Sequence, residues 1–208
     1  GSGGADEADA MQQCESNSAA AGDPVNPAIG NQFLKTTDYR SAGTNSLSHG
    51  RYYNSKSLTG STMGYRWRPS YSQVLGINPG VRVDAHRPDG AIFSYEPSGS
   101  NWVPISWLSG DDVTVRLVET GSGWELILNN DTVEHYDGSG KLTTIVRKNG
   151  YTQTINRDGN GKVTEVTDSN GRSLRLTYGS RYNGGSRLAT MTDPDGGIYE
   201  YVYKGLTV

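Results

Sequence analysis

The last third of the chain repeats itself at an interval of 21 residues. The segments that begin at Gly140 and Gly161 align along their length, with apolar, Thr and Asn-Gly positions in the same order. A third copy begins at Ser186, after a step of 25 residues, because a Gly-rich insertion lengthens the loop before it. Each copy predicts a strand, a tight turn and a second strand. A single hairpin of this length cannot bury its own apolar face, so neighbouring copies must stack or pair side by side.

An Asn-Gly or Asp-Gly pair lies in the middle of each copy. It places Gly150, Gly171 and Gly196 where a two-residue hairpin turn requires positive φ, a conformation that glycine adopts without steric cost. We therefore expect these three glycines to be structural residues of the repeat. The apolar residues expected to fill the layers between copies are Leu142, Ile145, Val163, Val166, Leu188 and Met191.

The two apolar residues of each first strand are three positions apart, as in Leu142 and Ile145. Strict alternation would place them on opposite faces of the sheet. Two explanations stay open. Either each face of the sheet is partly covered, or a β-bulge resets the phase of the strand.

The composition extends the β prediction to the rest of the chain. Gly contributes 28 of the 208 residues and Tyr 13, whereas Phe contributes 2. This balance favours short strands joined by turns over helices, which reject glycine. We therefore predict an all-β fold of antiparallel hairpins, in which the repeats form a twisted sheet. We divide the chain into a flexible tail that opens with a cloning remnant (1–21), an N-terminal β domain (22–110) and a hairpin region with the repeats (111–208).

Charge, hydropathy and cysteine content exclude several classes of protein. The formal net charge is -3 and the pI is near 5.6, which gives no basic surface for nucleic acid. No apolar run approaches the roughly 20 residues that a membrane helix needs, so we expect no membrane insertion. Cys14 is the only cysteine, which leaves neither an intrachain disulfide nor a thiolate metal cluster.

No set of residues predicts catalysis or a cofactor. The histidines are His49, His86 and His135. None of them has a second His or Cys at metal-ligand spacing, and we interpret them as structural. Asp158–Gly161 and Asp168–Gly171 resemble parts of a calcium loop but do not continue to the bidentate Glu. We predict a protein without enzymatic activity, metal or cofactor, and keep a hydrolase that uses an acid such as Asp111 or Asp112 as an alternative.

Aromatic residues are concentrated in the middle of the chain. Trp67, Trp102 and Trp107 could form a platform that stacks on the sugar rings of a glycan or on a partner protein. They could also fill the core of an early sheet that is poor in Phe, and we favour this second interpretation. The aromatic residues considered with them are Trp124, Tyr65, Tyr71 and Tyr95.

The repeats resemble the tyrosine-aspartate repeat of Rhs proteins, whose common form is Tyr-Asp-x-x-Gly-Arg-Leu. The segment Tyr136–Leu142 reads Tyr-Asp-Gly-Ser-Gly-Lys-Leu. The second unit, Arg157–Val163, keeps Asp and Gly but has Arg in place of Tyr. The third unit, Tyr182–Leu188, has Asn for Asp and Ser for the second Gly.

A second resemblance covers the front of the chain. Gly22–Asn31 reads Gly-Asp-Pro-Val-Asn-Pro-Ala-Ile-Gly-Asn, and Arg51–Ser55 reads Arg-Tyr-Tyr-Asn-Ser. Both segments are similar to the domain of unknown function that opens the repeat region in many Rhs proteins. Together the two resemblances extend over residues 22 to 208.

The Rhs resemblance implies strips of β-sheet that wrap into a hollow shell. In bacterial members the shell encloses a toxic C-terminal domain, so the expected partners are the rest of the shell and that toxin, with a secretion-machine protein or a glycan as further candidates. The expected location is secreted or on the bacterial cell surface. The alternative function is a cell-surface binding module that uses the Trp and Tyr residues. Asp193–Gly196 is similar to the motif near which family members release the toxin, but the Tyr-rich strand after it favours a hairpin turn.

Overall fold

A computed structural model describes residues 25–26, 31–57, 60–105, 114–180 and 186–203. Every regular element in these ranges is a β-strand, and neighbouring strands are antiparallel. The prediction of an all-β fold of antiparallel hairpins is therefore confirmed. Within the same ranges, no helix is long and apolar enough to cross a membrane. The predicted tail and the predicted domain boundary after residue 110 lie outside the described residues.

The strands of the N-terminal part form two four-stranded sheets and one two-stranded ribbon. The first sheet, in the order β1-β2-β3-β6, contains β1 (Val25–Asn26), β2 (Asn31–Arg40), β3 (Ser48–Asn54) and β6 (Trp67–Pro69). The second, in the order β10-β9-β8-β7, contains β7 (Val74–Asn78), β8 (Arg82–His86), β9 (Ile92–Ser98) and β10 (Asn101–Pro104). The ribbon contains β4 (Gly60–Ser61) and β5 (Gly64–Tyr65).

The other strands form one nine-stranded sheet, which we call the repeat sheet. Its strand order follows the chain order, so that each strand pairs with its neighbours in sequence. Its strands are β11 (Arg116–Thr120), β12 (Gly123–Ile127), β13 (Val133–Asp137), β14 (Leu142–Val146), β15 (Thr152–Arg157), β16 (Val163–Asp168), β17 (Ser173–Ser180), β18 (Ser186–Thr192) and β19 (Ile198–Glu200).

The turns of the repeats are one residue longer than predicted. Between β14 and β15, the N–H of Gly150 donates to the carbonyl oxygen of Arg147 at 2.8 Å, and the N–H of Arg147 donates to that of Tyr151 at 2.8 Å. This pattern is a three-residue loop, in which a type I turn is followed by a residue with positive φ. Gly150, Gly171 and Gly196 have φ of 82°, 78° and 88°. The two-residue turn is therefore wrong, although each glycine has positive φ.

An aspartate side chain closes the loop in four turns of the repeat sheet. The loop of Gly150 has the same length without an aspartate, and there Asn149 Oδ1 accepts the N–H of Tyr151 at 3.1 Å. Asp168 Oδ1 accepts the backbone N–H of Asn170 at 3.0 Å and of Arg172 at 2.9 Å, so one carboxylate closes the whole loop. The same two bonds are made in their own turns by Asp137, Asp158 and Asp193. The segments that resemble calcium loops and the toxin-release motif are thus hairpin turns whose aspartates bind backbone amides.

A β-bulge resets the apolar phase in each repeat. The strand register shifts at Tyr136, Arg157 and Tyr178. At the first shift one residue of β14 is left unpaired, so that Leu142 and Ile145 face the same side of the sheet. Of the two explanations for the phase, the bulge is therefore correct. The apolar residues of these strands that are fully buried are Leu142, Val166, Leu188 and Met191.

The N-terminal sheets cover the apolar face of the repeat sheet. One continuous hydrophobic cluster includes Leu75, Val83 and Tyr95 from the N-terminal part and Leu142 and Leu188 from the repeat sheet. The opposite face of the repeat sheet presents mainly Thr and charged side chains. The hydrophobic core is therefore shared between the two parts of the chain.

Candidate functional site at the contact between the N-terminal sheets and the repeat sheet

Polar groups surround the shared core where the N-terminal sheets meet the repeat sheet. We call this surface the inter-sheet contact. Its parts are an ion pair (Arg87 with Glu134), a backbone junction (Leu75 with Gly140) and a polar cluster (Asp38, His49, Arg51 and Tyr201).

A buried ion pair joins the turn after β8 to β13. Glu134 is 2% exposed, and both of its oxygens bind the guanidinium of Arg87, with Nη2 lying 2.7 Å from Oε1. Tyr136 donates its hydroxyl to Glu134 Oε2 at 2.6 Å, and Gln73 donates its amide to Oε1 at 3.3 Å. Burial alone would lower the pKa of Arg87, but the hydrogen bond and charge of Glu134 outweigh burial and raise it. Burial, together with the charge of Glu134, raises the pKa of Tyr136. These four side chains hold the two sheets in one relative position.

A backbone hydrogen bond joins β7 to the turn before β14. The N–H of Leu75 donates to the carbonyl oxygen of Gly140 at 2.8 Å, beside an antiparallel bridge between Val74 and Lys141. Gly140 has φ of 82°, and a side chain at this position would overlap the carbonyl oxygen of Leu75. Glycine is therefore required here both by the turn and by the close approach of the second sheet.

A polar cluster connects β2 and β3 to the segment after β19. Asp38 accepts hydrogen bonds from Arg51 Nε and from the Tyr201 hydroxyl, each at 3.0 Å. Nδ1 of His49 lies 3.2 Å from the same hydroxyl and 3.7 Å from Asp38. Burial alone would raise the pKa of Asp38, but the interactions of its carboxylate with His49, Arg51 and Tyr201 outweigh burial and lower it. Burial, followed by the charge of Asp38, raises the pKa of Tyr201.

This cluster combines a carboxylate, an imidazole and a hydroxyl, which are the groups of many nucleophilic sites. The His49 side chain is fully buried, and its Nε2 has no hydrogen-bond partner among the described residues. The Arg51 guanidinium packs 5.8 Å from the ring of Tyr201 and 5.7 Å from that of Trp67. Because the carboxylate and the imidazole are shielded from solvent, the arrangement favours docking of the two sheets over nucleophilic chemistry.

Arg172 links the repeat sheet to the loop after β2. Its guanidinium binds Asp168 Oδ2 at 2.7 Å and donates to the carbonyl oxygens of Asn45 and Ala42. The Asp168 side chain is fully buried and also accepts the Tyr151 hydroxyl at 2.9 Å. One carboxylate thus closes its own turn and orients the arginine that contacts the N-terminal part.

Asp168→Asn is expected to flatten the acid limb of the stability curve. Burial alone would raise the pKa of Asp168, but hydrogen bonds from Arg172, Tyr151 and the turn amides outweigh it, so the pKa lies below its ordinary value. A lowered pKa gives stability that is present above the unfolded value of 3.8 and is lost as pH falls through the folded value. The free energy of unfolding can be measured by urea denaturation at a series of pH values from neutral to below 3.8. Its decrease with falling pH should be smaller in the variant than in the unchanged protein. An unchanged slope would mean that this carboxylate does not contribute.

A hydrogen bond from the end of each copy to the start of its own first strand recurs along the repeat sheet. The Tyr178 hydroxyl donates to the carbonyl oxygen of Val163 at 2.7 Å, and the Tyr203 hydroxyl donates to that of Leu188 at 2.7 Å. Arg157, which has the same place in the preceding unit, donates to the carbonyl oxygen of Leu142 at 3.3 Å. We call these bonds the carbonyl contacts.

Sequence comparison missed the carbonyl contacts because it aligned the third Tyr-Asp position on Tyr182. In the structure that position is Tyr178, which follows Arg157 by the same 21 residues that separate Arg157 from Tyr136. Tyr182 lies outside the described residues. The 21-residue spacing of these three residues is the signal that could have identified the position.

Tyr178→Phe is expected to lower the free energy of unfolding by about 1 kcal/mol, because it removes one hydrogen bond and leaves the ring in place. Burial raises the pKa of Tyr178 to about 12, so its hydroxyl is a donor throughout the physiological range. Chemical denaturation measures the loss. Tyr65→Phe is the matched control, since Tyr65 is 55% exposed, and it should leave stability unchanged. Equal losses in both variants would argue against the carbonyl contact.

Trp67 and Trp102, two of the candidate binding residues, lie in different sheets. Trp67 is half-buried in β6 and packs 5.3 Å from the ring of Tyr53. Trp102 in β10 packs edge-on to Trp124 at 5.2 Å and donates its Nε1–H to Glu119 at 3.1 Å. Both side chains are thus engaged in packing, and Tyr71 and Tyr95 are buried. Four residues considered in the sequence analysis lie outside the described residues, namely Trp107, Asp111, Asp112 and Cys14.

Over the ranges that the structure describes, no group of three or more His, Cys, Asp or Glu side chains could hold a metal ion. His86 lies beside Arg68, and burial, with the charges of Arg68 and Arg82, lowers its pKa, although Asp84 acts in the opposite direction. His135 lies 3.4 Å from Glu125 on the opposite face of the repeat sheet. These histidines are therefore dispersed, as their spacing in the sequence indicates.

The fold and the inter-sheet contact define an all-β repeat protein whose N-terminal sheets cover a sheet of repeated hairpins. Two family models match this chain. One is described as a domain of unknown function, DUF6531, and matches residues 22–95, and the other is described as RHS Repeat and matches residues 157–198. No curated protein matches the chain. The chain is a region of the Rhs, or tyrosine-aspartate repeat, family, and both resemblances seen in the sequence are confirmed. RHS repeats are generally structural and typically occur in secreted or cell-surface proteins.

Proposed function

We propose that the chain is a non-enzymatic structural segment near the start of an Rhs-type shell. The N-terminal sheets cover the apolar face of the first repeats, and the repeats extend into a wall that encloses or delivers a C-terminal toxin domain of the parent protein. Its partners are then the rest of that shell and the toxin. The parent protein is secreted or displayed on the surface of a bacterial cell.

The observation that carries this proposal is the agreement of strand order with chain order in the repeat sheet. Each copy pairs with the strand before it through the same bulge, and each copy contains the same carbonyl contact. A further unit can therefore add beyond β19 without rearranging the strands before it. Ile198 is 67% exposed and Val202 is 86% exposed, and a following unit would cover this apolar surface.

The inter-sheet contact supports the role of the N-terminal sheets. A shared hydrophobic core and a buried ion pair join them to the repeats. Such a contact resists sliding, because a displaced Arg87 would leave Glu134 buried without its counter-charge. The N-terminal sheets can thus keep the first repeats folded and cover the face that would otherwise be exposed.

The proposal is tested on the longest natural protein that contains this chain. Electron microscopy is expected to show a hollow β-sheet particle. The C-terminal domain is expected to resist proteolysis within the intact protein and to be digested when it is expressed alone. Digestion at the same rate in both settings, or an extended particle without a cavity, would contradict the proposal.

A pair of variants connects this test to the inter-sheet contact. Arg87→Met weakens the contact and should accelerate digestion of the enclosed domain. Lys148→Met removes only an exposed ion pair with Asp131 and should leave the rate unchanged.

The binding-module alternative depends on Trp67, Trp102 and Trp107. The packing of Trp67 and Trp102 in separate sheets favours the structural role over a common platform. A glycan array that responds to the chain, with the response lost in a folded Trp102→Ala variant, would favour the binding module instead.

A further inference from the structure

Two of the repeats place a cation on the aromatic ring that makes the carbonyl contact. Lys162 Nζ lies 5.5 Å from the centre of the Tyr178 ring, and the Arg187 guanidinium lies 5.2 Å from that of the Tyr203 ring. In both units the aromatic residue follows the basic residue by 16 positions. The ring faces the positive charge with the negative side of its quadrupole, so each cation has a favourable partner.

The first unit departs from this rule because a second cation stands in place of the ring. Lys141 has the position of Lys162, and Arg157 has that of Tyr178. Both cations approach Gly161. Arg157 Nη1 donates to the carbonyl oxygen of Gly161 at 3.1 Å, and Lys141 Nζ lies 3.3 Å from the point that a Cβ of Gly161 would occupy. Two cations thus approach the same glycine.

Neither cation forms an ion pair with any residue that the structure describes. Arg157 is half-buried, and both of its hydrogen bonds go to neutral carbonyl oxygens, those of Gly161 and Leu142. Its Nε is buried without a hydrogen-bond partner. Asp137, whose charge acts on Arg157, uses Oδ1 to close its own turn, and burial lowers the pKa of Arg157 despite this carboxylate. The charge of Asp137 thus acts on both cations, but this carboxylate forms an ion pair with neither of them.

We propose that Lys141 and Arg157 bind a phosphate or sulfate group. A tetrahedral oxyanion would accept hydrogen bonds from the ammonium of Lys141 and from the N–H groups of Arg157 that the carbonyl oxygens do not use. Its negative charge would be attracted to both cations. Lys141 is exposed, so the group can enter from solvent, and Gly161 has no side chain to obstruct it.

The test is thermal unfolding of this chain in inorganic phosphate or sulfate, compared with chloride at equal ionic strength and pH. At ten times the dissociation constant, a single site should raise the midpoint by about 3 °C. Glycerol phosphate is a further arm. If glycerol phosphate also raises the midpoint, the site binds the phosphate group of a larger molecule. If the midpoint rises with the inorganic anions and not with glycerol phosphate, the site binds the free anion.

Arg157→Tyr is the decisive variant, because it restores the aromatic position that the other units use. It should fold, keep or raise the midpoint in chloride, and lose the response to phosphate. Lys141→Met, at an exposed position, should also lose the response, and it provides the test if Arg157→Tyr does not fold. Lys148→Met is the control for a general loss of positive charge and should keep the full response. A phosphate shift of equal size in Arg157→Tyr or in Lys141→Met, or no shift in the unchanged protein, would overturn the proposal.

Discussion

Gly140→Ala is expected to lower the free energy of unfolding by about 3 kcal/mol, whereas Gly150→Ala should lower it by about 1 kcal/mol. Both glycines have φ of 82°, so an alanine carries the same backbone strain at either position. The space around them differs. A Cβ on Gly150 meets no atom within 4 Å, but a Cβ on Gly140 overlaps the carbonyl oxygen of Leu75 in the other sheet. The difference between the variants therefore measures the close approach of the two sheets.

Urea denaturation of both variants gives the two losses. Amide hydrogen exchange at Leu75 gives an independent measurement, because its N–H donates to the carbonyl oxygen of Gly140. Exchange there should become faster in Gly140→Ala and stay unchanged in Gly150→Ala. Equal losses of stability would mean that backbone strain alone decides and that the inter-sheet contact tolerates a side chain.

Arg87→Met is expected to lower the free energy of unfolding by about 3–5 kcal/mol, because it leaves a buried carboxylate without its counter-charge. Glu134 is 2% exposed, and the Tyr136 hydroxyl and the Gln73 amide would be its remaining partners. Neutral donors do not replace a bidentate guanidinium. This loss should appear as a lower urea midpoint and as release of the N-terminal sheets from the repeat sheet.

The double variant Arg87→Met with Glu134→Gln distinguishes the buried charge from lost packing. It keeps the shape of the site and removes the uncompensated carboxylate, so it should recover a large part of the stability that the single variant loses. Lys148→Met, which breaks an exposed ion pair, should leave the midpoint unchanged. A double variant as unstable as Arg87→Met alone would show that the aliphatic part of the arginine, and not its charge, supports the contact.

The repeat could be predicted from the sequence because its rules act over a few residues. A glycine at the third loop position and an acceptor side chain before it define a hairpin turn, as at Gly150, Gly171 and Gly196. The apolar residues before each turn indicate a strand. The loop length was not predicted correctly, because it depends on which backbone groups meet across the turn once the strands are paired, such as those of Arg147 and Tyr151.

The phase of the apolar residues required the strand register. Leu142 and Ile145 face the same side only because a bulge at Tyr136 leaves one residue unpaired. The bulge follows from pairing with the preceding strand. The spacing of Leu142 and Ile145 in the sequence was equally compatible with partial cover of both faces of the sheet. The role of Tyr178 in its carbonyl contact also required the strand register. The insertion after Tyr178 contains Tyr182, and the Tyr-Asp motif was aligned on that residue instead.

By itself, the sequence determined the all-β class, the repeat unit and the resemblance to the Rhs family, because turn chemistry and apolar spacing are properties of neighbouring residues. Only the tertiary structure decided which polar groups meet. Arg87 and Glu134 are 47 positions apart, and Asp38 and Tyr201 are 163 positions apart. Their pairing depends on how one sheet docks on another. The polar groups of the two sheets become neighbours only when the apolar faces pack together.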